Sequence, residues 1–459
     1  MYVSEAKVYP REVSGKFQRL RVRAAWILML LFYVMPWINL AGEQALLFDL
    51  PRRQFHVFGL NFWPQDLIFL AAILLVLALS LFFFTALAGR LWCGYACPQT
   101  VWTEVFLALE RIAEGNRGQR IKLDQSPWSW KKLRAKSLKQ FFWISFAMWT
   151  GMTFVGFFSP IRTLLPELVQ LRAGGWEVFW VGFYGLATYG NAGYLREQVC
   201  KYMCPYARFQ GAMFDANTLI ISYDPERGEK RGPGKNRAAL GDCIDCTLCV
   251  QVCPTGIDIR DGLQNNCIAC GACIDACDQV MAKVGSPLGL IRYSTENAMA
   301  GKPTQQLRPR VIVYGAILIG LLAAIGIGLL LRQPLMVDVL RDRNALYRVL
   351  SDGEIENTYT LKITNKSANS RNFVVALAAP AGLKIVDAAP QVAVPARSTL
   401  SYPVTVRGQR MEADARSNTA AQGLIPKRVE IAFSVYAADD KAILRSHSSA
   451  FFAPTKEAP

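Results

Sequence analysis

The sequence predicts a multi-domain membrane protein, in which an α-helical transmembrane bundle of about five spans carries a small α+β domain and an all-β domain. Three observations support this fold class. Hydrophobic residues make up 52% of the 459 residues and the mean hydropathy is +0.19, which is high for a soluble protein. Eight of the twelve cysteines lie between residues 243 and 277. The region after residue 334 alternates apolar and polar side chains, as half-buried β-strands do.

Five apolar segments are long enough to cross a bilayer, which takes about 20 residues. They are residues 24–41, 66–89, 141–158, 176–194 and 311–331. A cleavable signal peptide is not expected, because the first apolar run starts late and no small-residue cleavage site follows it. These segments divide the chain into an N-terminal arm at 1–23, a four-helix membrane domain at 24–214, a cysteine-rich domain at 215–305, a fifth transmembrane helix at 306–333 and a C-terminal domain at 334–459.

Basic residues predict the orientation of these spans. Six Lys or Arg lie in the N-terminal arm and ten lie between Arg90 and Lys139, whereas the loops after the first and third spans hold two each. Since cytoplasmic loops are enriched in Lys and Arg, the N-terminus and the cysteine-rich domain should face the cytoplasm and the C-terminal domain the periplasm. The formal net charge of +16 is therefore explained by attraction to anionic membrane lipid, and a nucleic-acid partner is not expected.

Two cysteine runs carry the strongest chemical signal. Each contains three cysteines at successive CxxC spacing and a fourth after three further residues: Cys243, Cys246, Cys249 and Cys253, then Cys267, Cys270, Cys273 and Cys277. This spacing is typical of a two-cluster ferredoxin, in which the fourth cysteine of each run binds the other cluster. We therefore expect one 4Fe-4S cluster on Cys243, Cys246, Cys249 and Cys277, and a second on Cys253, Cys267, Cys270 and Cys273. Structural zinc sites and disulfides fit the spacing less well.

The other four cysteines form two copies of a CxYxCP motif, 107 residues apart. The copies are residues 93–98, with Cys93 and Cys97, and residues 200–205, with Cys200 and Cys204. Each copy ends an apolar segment at the same predicted membrane face. In a helix, residues four apart share one face, so each pair could present two sulfurs together, and the following proline would disturb the helix. We expect neighbouring cations such as Arg90, Arg196 and Lys201 to favour the thiolates. Buried apolar cysteine is the alternative interpretation.

The remaining sequence limits the function classes. The chain has two histidines, His56 and His447, each isolated and expected at the surface, so paired haem ligands in the spans are absent from the sequence. The C-terminal region predicts about seven short strands, which is typical of an immunoglobulin-like sandwich. The sequence there contains no catalytic motif, so it is expected to serve docking, assembly or solubility.

The cysteine runs and their surroundings resemble a known family. The segments Val252–Arg260 and Cys273–Met281 around the clusters, and Gly289–Thr295 just beyond them, are similar to the FixG/CcoG family of bacterial cytochrome c oxidase accessory proteins. The resemblance extends over the spans, the paired CxxxCP motifs, the ferredoxin insert and the external domain. It implies a role in assembling the cbb-type haem–copper oxidase in the bacterial inner membrane, together with reduction of Cu(II) to Cu(I).

The resemblance also implies partners and candidate site residues. It implies contact with oxidase assembly factors, with copper transporters or chaperones and with a cytoplasmic electron donor that the sequence does not identify. The candidate catalytic and copper-binding residues are Cys93, Cys97, Cys200 and Cys204, because thiolate ligands select Cu(I). Three alternatives stay open: a further iron–sulfur cluster at these cysteines, a ferredoxin relay in a quinone-linked respiratory complex, and a purely structural assembly factor.

Overall fold

A computed structural model describes residues 7–40, 42–233, 240–343, 345–380, 382–387, 389, 391–409 and 428–454. The chain divides into two compact units, residues 1–325 and 326–459. The first unit contains the membrane helices and the cysteine-rich segment. The second contains the all-β domain, together with the end of the last long helix.

The helices of the first unit before the cysteine-rich segment run in chain order along the predicted membrane domain. They are α1 (Lys16–Val34), α2 (Leu67–Ala88), α3 (Leu91–Tyr95), α4 (Pro98–Glu114), α5 (Arg117–Gln125), α6 (Trp130–Val155), α7 (Ile161–Val169), α8 (Gly175–Thr188) and α9 (Pro205–Met213). Two π-helical segments, Tyr189–Leu195 and Val199–Met203, lie between α8 and α9, and short 3-10 turns occupy Met35–Trp37 and Pro64–Asp66.

Among the described residues, three helices are long and apolar enough to cross a membrane. They cover Lys16–Trp37, Pro64–Ala88 and Pro309–Leu330. They correspond to the first, second and fifth predicted spans. The third predicted span lies mostly within α6, and the fourth lies in α8 and the π-helical segment that continues it. Whether α6 and α8 cross the membrane stays a prediction.

A small β-structure follows the first span. It comprises β1 (Asn39–Leu40), β2 (Glu43–Gln44), β3 (Leu46–Asp49), β4 (Gln54–Val57) and β5 (Leu60–Phe62), with β1 paired to β2 and β4 central between β3 and β5. The expectation that His56 lies at the surface was wrong: the residue is 8% exposed. Its Nδ1 lies 2.9 Å from Oδ1 of Asn61 and 3.0 Å from Oε2 of Glu43, and these polar partners offset the cost of burying the ring.

The cysteine-rich segment folds as a compact α+β domain. It contains β6 (Ile220–Tyr223), α10 (Pro225–Gly228), α11 (Leu248–Gln251), α12 (Ala272–Val284), β7 (Ile291–Ser294) and α13 (Glu296–Met299), with a 3-10 turn at Ile259–Asp261. Strands β6 and β7 pair antiparallel, so the chain enters and leaves the domain side by side. Buried Ile221, Ile259, Ile274, Met281 and Leu290 form the core beside the cysteines.

The N-terminal arm and α1 pack against this domain. Asp275 of α12 accepts hydrogen bonds from the backbone N–H groups of Phe17 at 3.2 Å and Gln18 at 2.7 Å. The first residues of a helix have no intrahelical partners for these groups, and Gly15 at the start of α1 has no side chain to cap them. A buried carboxylate of the cysteine-rich domain therefore caps α1, the first candidate membrane-spanning helix.

The second unit is a two-sheet sandwich that follows α14 (Pro309–Leu330). Its described strands are β8 (Leu335–Arg341), β9 (Arg348–Val349), β10 (Glu354–Asn365), β11 (Arg371–Ala378), β12 (Leu383–Val386), β13 (Gln391–Val394), β14 (Ser398–Gln409), β15 (Arg428–Ala437) and β16 (Leu444–Phe452). One sheet has the order β12-β14-β10-β8 with β9 on β10, and the other β13-β11-β15-β16. Fully buried Leu361, Phe433 and Phe451 lie in the core between them, as the alternation predicts. The predicted count of about seven strands was low, because β9, β12 and β13 are very short.

Candidate functional site

The two CxxCxxC loops have the same backbone conformation. In the first loop Asp245 and Thr247 have φ of 51° and 56°, and in the second loop the equivalent Ala269 and Gly271 have φ of 51° and 75°. Left-handed residues at the same two positions turn each loop back on itself, so that its three cysteines lie around one space. Three of these four residues are not glycine, so their positive φ strains the backbone. Backbone strain of this kind is concentrated at functional sites.

The folded domain groups the eight cysteines in crossed fashion. Cys243, Cys246, Cys249 and Cys277 line one cavity. Cys253, Cys267, Cys270 and Cys273 line a second cavity, to which Cys249 also contributes. The fourth cysteine of each run thus lies with the first three of the other run, which is the arrangement that the spacing predicts.

The donor set fits iron–sulfur clusters better than single ions. Within the described residues, no three His, Cys, Asp or Glu side chains are arranged to hold one metal ion. A zinc site would need such convergence, whereas in a cubane cluster each thiolate binds its own iron and the sulfurs stay apart. Isoleucines at 221, 257, 259 and 268 line the second cavity and exclude water from it.

Burial keeps three of these cysteines protonated unless a metal is bound. Burial raises the pKa of Cys267 and of Cys277 to about 12, and that of Cys249 to about 11. At neutral pH each of these three is then a thiol, and metal binding must displace its proton. At these positions the negative charge of the ligand is therefore created by loading the metal.

The remaining four cysteines, here called the membrane-face cysteines, are Cys93, Cys97, Cys200 and Cys204. The expectation that each pair lies on one helical face was wrong. Cys93 lies in α3 and Cys200 in the second π-helical segment, but Cys97 and Cys204 are extended, with ψ of 127° and 109°, and precede α4 and α9. The proline explains this: it disfavours a helical residue before it and is well placed at the first position of the next helix.

The two copies of the motif are related by a reciprocal set of hydrogen bonds. Gln99, just after the first copy, donates to the backbone oxygens of Asn191 at 2.9 Å and Arg196 at 3.1 Å, just before the second copy. Tyr206, at the position equivalent to Gln99, bonds to Oγ1 of Thr85 at 2.6 Å, before the first copy. Each copy is thus anchored to the segment that leads into the other, as in an approximate two-fold arrangement.

These bonds bring the membrane-face cysteines within electrostatic range of one another. Burial first, and then the neighbouring Cys97, Cys93 and Cys204, raise the pKa of Cys200 to about 12. Burial likewise raises the pKa of Cys93 to about 11, although Arg90 acts in the opposite direction. Arg90 therefore acts on the pKa of Cys93 in the expected direction, but desolvation outweighs its charge and the thiol stays protonated at neutral pH.

Polar side chains hold both copies in place. The thiol of Cys93 donates to Oε1 of fully buried Gln210 at 3.5 Å. Arg196, before the second copy, donates to Oε2 of Glu110 at 2.8 Å, and the same oxygen lies 3.2 Å from Arg120. Glu110 is completely buried, and burial raises its pKa while Arg196 and Lys139 lower it by a larger amount, so the carboxyl stays ionised. Sequence reasoning missed this network, since isolated Glu and Arg residues do not reveal their partners.

Fold and site together define the class: a protein with candidate membrane helices, two 4Fe-4S binding regions and an immunoglobulin-like domain. Residues 195–296 match a family model described as a 4Fe-4S dicluster domain, and residues 70–113 match one described as a 4Fe-4S binding domain. Residues 325–454 match an IG-like fold at the C-terminus of FixG.

Whole-chain relatives identify the family. The chain is 38% identical over 423 residues to the nitrogen fixation protein FixG of Rhizobium meliloti, covering 81% of this chain and 79% of FixG. It is 40% identical over 404 residues to the protein RdxA of Cereibacter sphaeroides, covering 84% and 85%. A crystal structure of a FixG-related protein from Vibrio parahaemolyticus is 23% identical and covers 26% of this chain and 97% of that one, but its TM-score of 0.22 supports no argument. The chain belongs to the FixG family and is an iron–sulfur electron-transfer protein.

Proposed function

We propose that this protein reduces Cu(II) to Cu(I) at the membrane-face cysteines, as a step in assembling a cbb-type cytochrome c oxidase. Two 4Fe-4S clusters would be held by Cys243, Cys246, Cys249 and Cys277, and by Cys253, Cys267, Cys270 and Cys273. Such clusters supply one electron at a time, at potentials set by their surroundings. The protein's own contribution is the pair of apolar cavities and the protonated thiols that become ligands on loading.

Copper is the substrate in this proposal. The membrane-face cysteines offer soft sulfur ligands, which select Cu(I) over hard cations and so favour the reduced product. Since Cys93 and Cys200 are thiols at neutral pH, copper binding must release protons there. Met203, inside the second copy, is 58% exposed and is a further candidate thioether ligand.

One observation carries the proposal: the duplicated motif places a cysteine of each copy beside the second cluster loop, Cys93 by packing and Cys200 by a cavity shared with Ile268. Cys93 packs with Ile268, Cys270 and Ala272 of that loop. A ferredoxin relay within a quinone-linked complex would not need the four membrane-face cysteines, and a structural assembly factor would need neither them nor the clusters. A reductase that hands an electron to a thiol-bound metal needs both, in contact.

Partners and orientation are part of the proposal. The basic arm and the residues between Arg90 and Lys139 support a cytoplasmic face for the clusters, and anionic lipid is the partner of that face. A cytoplasmic electron donor, oxidase assembly factors and copper transporters or chaperones complete the proposed set. A reporter that is active only in the periplasm should work when fused after residue 340 and fail near residue 235; the reverse pattern would overturn the orientation.

The deciding experiment compares cysteine variants on the same samples. Anaerobic wild-type protein should contain about eight irons and, after reduction by dithionite and removal of excess reductant, convert Cu(II) to Cu(I), as reported by a Cu(I)-specific dye. Cys97→Ala and Cys204→Ala should each retain the iron and lose copper reduction. If a variant with all four membrane-face cysteines replaced by alanine reduces copper at the wild-type rate, the site is elsewhere.

A further iron–sulfur cluster at the membrane-face cysteines is the second candidate. It is favoured by the match of residues 70–113, which include Cys93 and Cys97, to a 4Fe-4S binding model. This alternative predicts about twelve irons in the wild type and about eight in the variant without the four cysteines. Equal iron content in the two proteins would exclude it and leave copper as the occupant.

A further inference from the structure

The two cluster cavities differ in what surrounds them. The cavity of Cys243, Cys246, Cys249 and Cys277 is lined by residues between Tyr223 and Ile291, all within the cysteine-rich domain, and Cys246 is exposed. The loop of the other quartet instead meets α3 and the first CxYxCP copy. The domain therefore presents one quartet to the solvent side and the other to the membrane-face cysteines.

Gly94 makes the closest of these contacts. A Cβ added at this position would lie 2.8 Å from the backbone oxygens of both Ile268 and Ala269. Real Cβ atoms do not approach backbone oxygens so closely, so any side chain here would push α3 off the loop. Gly94 lies between Cys93 and Cys97 in sequence, and the two oxygens lie between Cys267 and Cys270. The contact therefore connects the proposed copper site to the second cluster loop next to the proposed ligands of both.

Arg90 and two tyrosines hold the contact in register. The Arg90 guanidinium, 5% exposed, donates to the backbone oxygens of Asn265 and Ala207, and more weakly to that of Cys267 at 3.5 Å. It thereby ties the second cluster loop to α9, which follows the second CxYxCP copy. Tyr293 donates to the oxygen of Ala269 at 2.6 Å and lies 3.3 Å, between hydroxyls, from Tyr95.

From these contacts we propose that the quartet of Cys253, Cys267, Cys270 and Cys273 is the electron exit, with Gly94 and Arg90 as positioning residues. The quartet that includes Cys246 is then the entry for a low-potential cytoplasmic reductant. This inference rests on the proposed copper reduction. The step is a single electron transfer: the exit cluster loses one electron and one Cu(II) becomes Cu(I), so a fully reduced two-cluster protein reduces two Cu(II).

The first test uses the unaltered chain and a readout other than turnover. Cu(I) added anaerobically should shift the midpoint potential of the exit cluster more than that of the entry cluster, because the exchange of thiol protons for Cu(I) changes the charge directly beside the exit cluster. The potentials are followed by electron paramagnetic resonance, and the entry signal is identified as the one that changes in Cys246→Ser. A larger shift of the entry cluster, or equal shifts, would overturn the assignment.

The second test breaks the contact. Gly94→Ala should keep about eight irons and dithionite-reducible clusters but slow copper reduction by at least about tenfold, or roughly 1.4 kcal/mol in the barrier. Gly182→Ala is the control, because a Cβ there meets nothing within 4 Å. Wild-type protein that reduces no copper would refute the proposed function. If the wild type reduces copper and Gly94→Ala does so at the same rate, only the exit assignment is refuted. If Gly94→Ala loses its iron, the Cu(I) titration of the wild type decides the exit assignment.

Discussion

The two CxYxCP copies share the backbone geometry that precedes and ends each copy, and they differ in helix type and in their neighbours. Gly89 and Arg196, at equivalent positions, have φ, ψ of 56°, −121° and 41°, −112°. The N–H of Cys97 donates to the oxygen of Trp92 at 2.9 Å, and that of Cys204 to the equivalent Val199 at 2.8 Å. The duplication has therefore preserved the geometry that places the sulfurs, down to an unusual backbone conformation.

The neighbours separate the copies. The first copy is short α-helix with Gly94 buried against the cluster loop, whereas the second is π-helical and leaves Tyr202 46% and Met203 58% exposed. π-helical turns are rare in proteins, and those that occur are often found at functional sites. In the proposed function the first copy faces the electron source and the second faces the arriving copper. The comparison indicates that the repeated motif positions the cysteines, whereas the residues around each copy determine whether it faces the cluster loop or the solvent.

Removing Glu110 should break the second copy and spare the first. Glu110→Gln leaves Arg196 and Arg120 buried without their carboxylate, which typically costs about 3–5 kcal/mol. Thermal unfolding in detergent should show this loss. Glu12→Gln is the matched control: Glu12 lies 2.7 Å from Arg111 but its side chain is 51% exposed, so its loss should cost at most about 1 kcal/mol. Similar costs for both variants would contradict the importance of the buried network.

A change at Gly89 should strain the first copy alone. Gly89→Ala forces alanine into a conformation it rarely adopts and places Cβ 2.7 Å from the backbone oxygen of Leu219, at an expected cost of about 1–3 kcal/mol. Gly190→Ala, near the second copy, adds a Cβ with nothing within 4 Å and serves as control in the same unfolding assay. An unaffected Gly89→Ala would show that the shared backbone geometry is not required.

Acid should weaken the contacts that Asp124 makes with the N-terminal arm and with α6. Burial raises the pKa of Asp124, but hydrogen bonds from Lys136, Tyr9 and Lys7 outweigh this and hold it below its usual range. The contribution of ionised Asp124 to the free energy of unfolding is therefore fully present above about pH 4, the usual Asp pKa. It is lost as the pH falls through the lower pKa of Asp124 in the folded protein. Asp124→Asn should cost about 1 kcal/mol at pH 7 and flatten the stability profile below pH 4. An unchanged slope would contradict this.

Local patterns predicted much of this fold, and tertiary contacts account for what was missed. The spacing of the eight cysteines predicted how they are grouped. All eight lie within one short segment of the chain, so their grouping depends on local spacing and not on distant contacts. Alternation located β10 and β15, and a more continuous apolar run located β11. The extended Cys97 and Cys204 were misjudged, since helical periodicity was applied across a proline. The Gly94 contact depends on residues distant in sequence, and buried His56 depends on polar partners in neighbouring short strands; no simple periodicity reports either.

The cap on α1 ties the start of the chain to a helix that is synthesised much later. Phe17 precedes its acceptor Asp275 by 258 residues, so at roughly 5–20 residues per second the start of α1 waits about 13–50 s for its partner. Asp275 lies on α12 between Cys273 and Cys277, which belong to different proposed clusters. The helix that caps α1 is thus the same helix that carries one proposed ligand of each cluster.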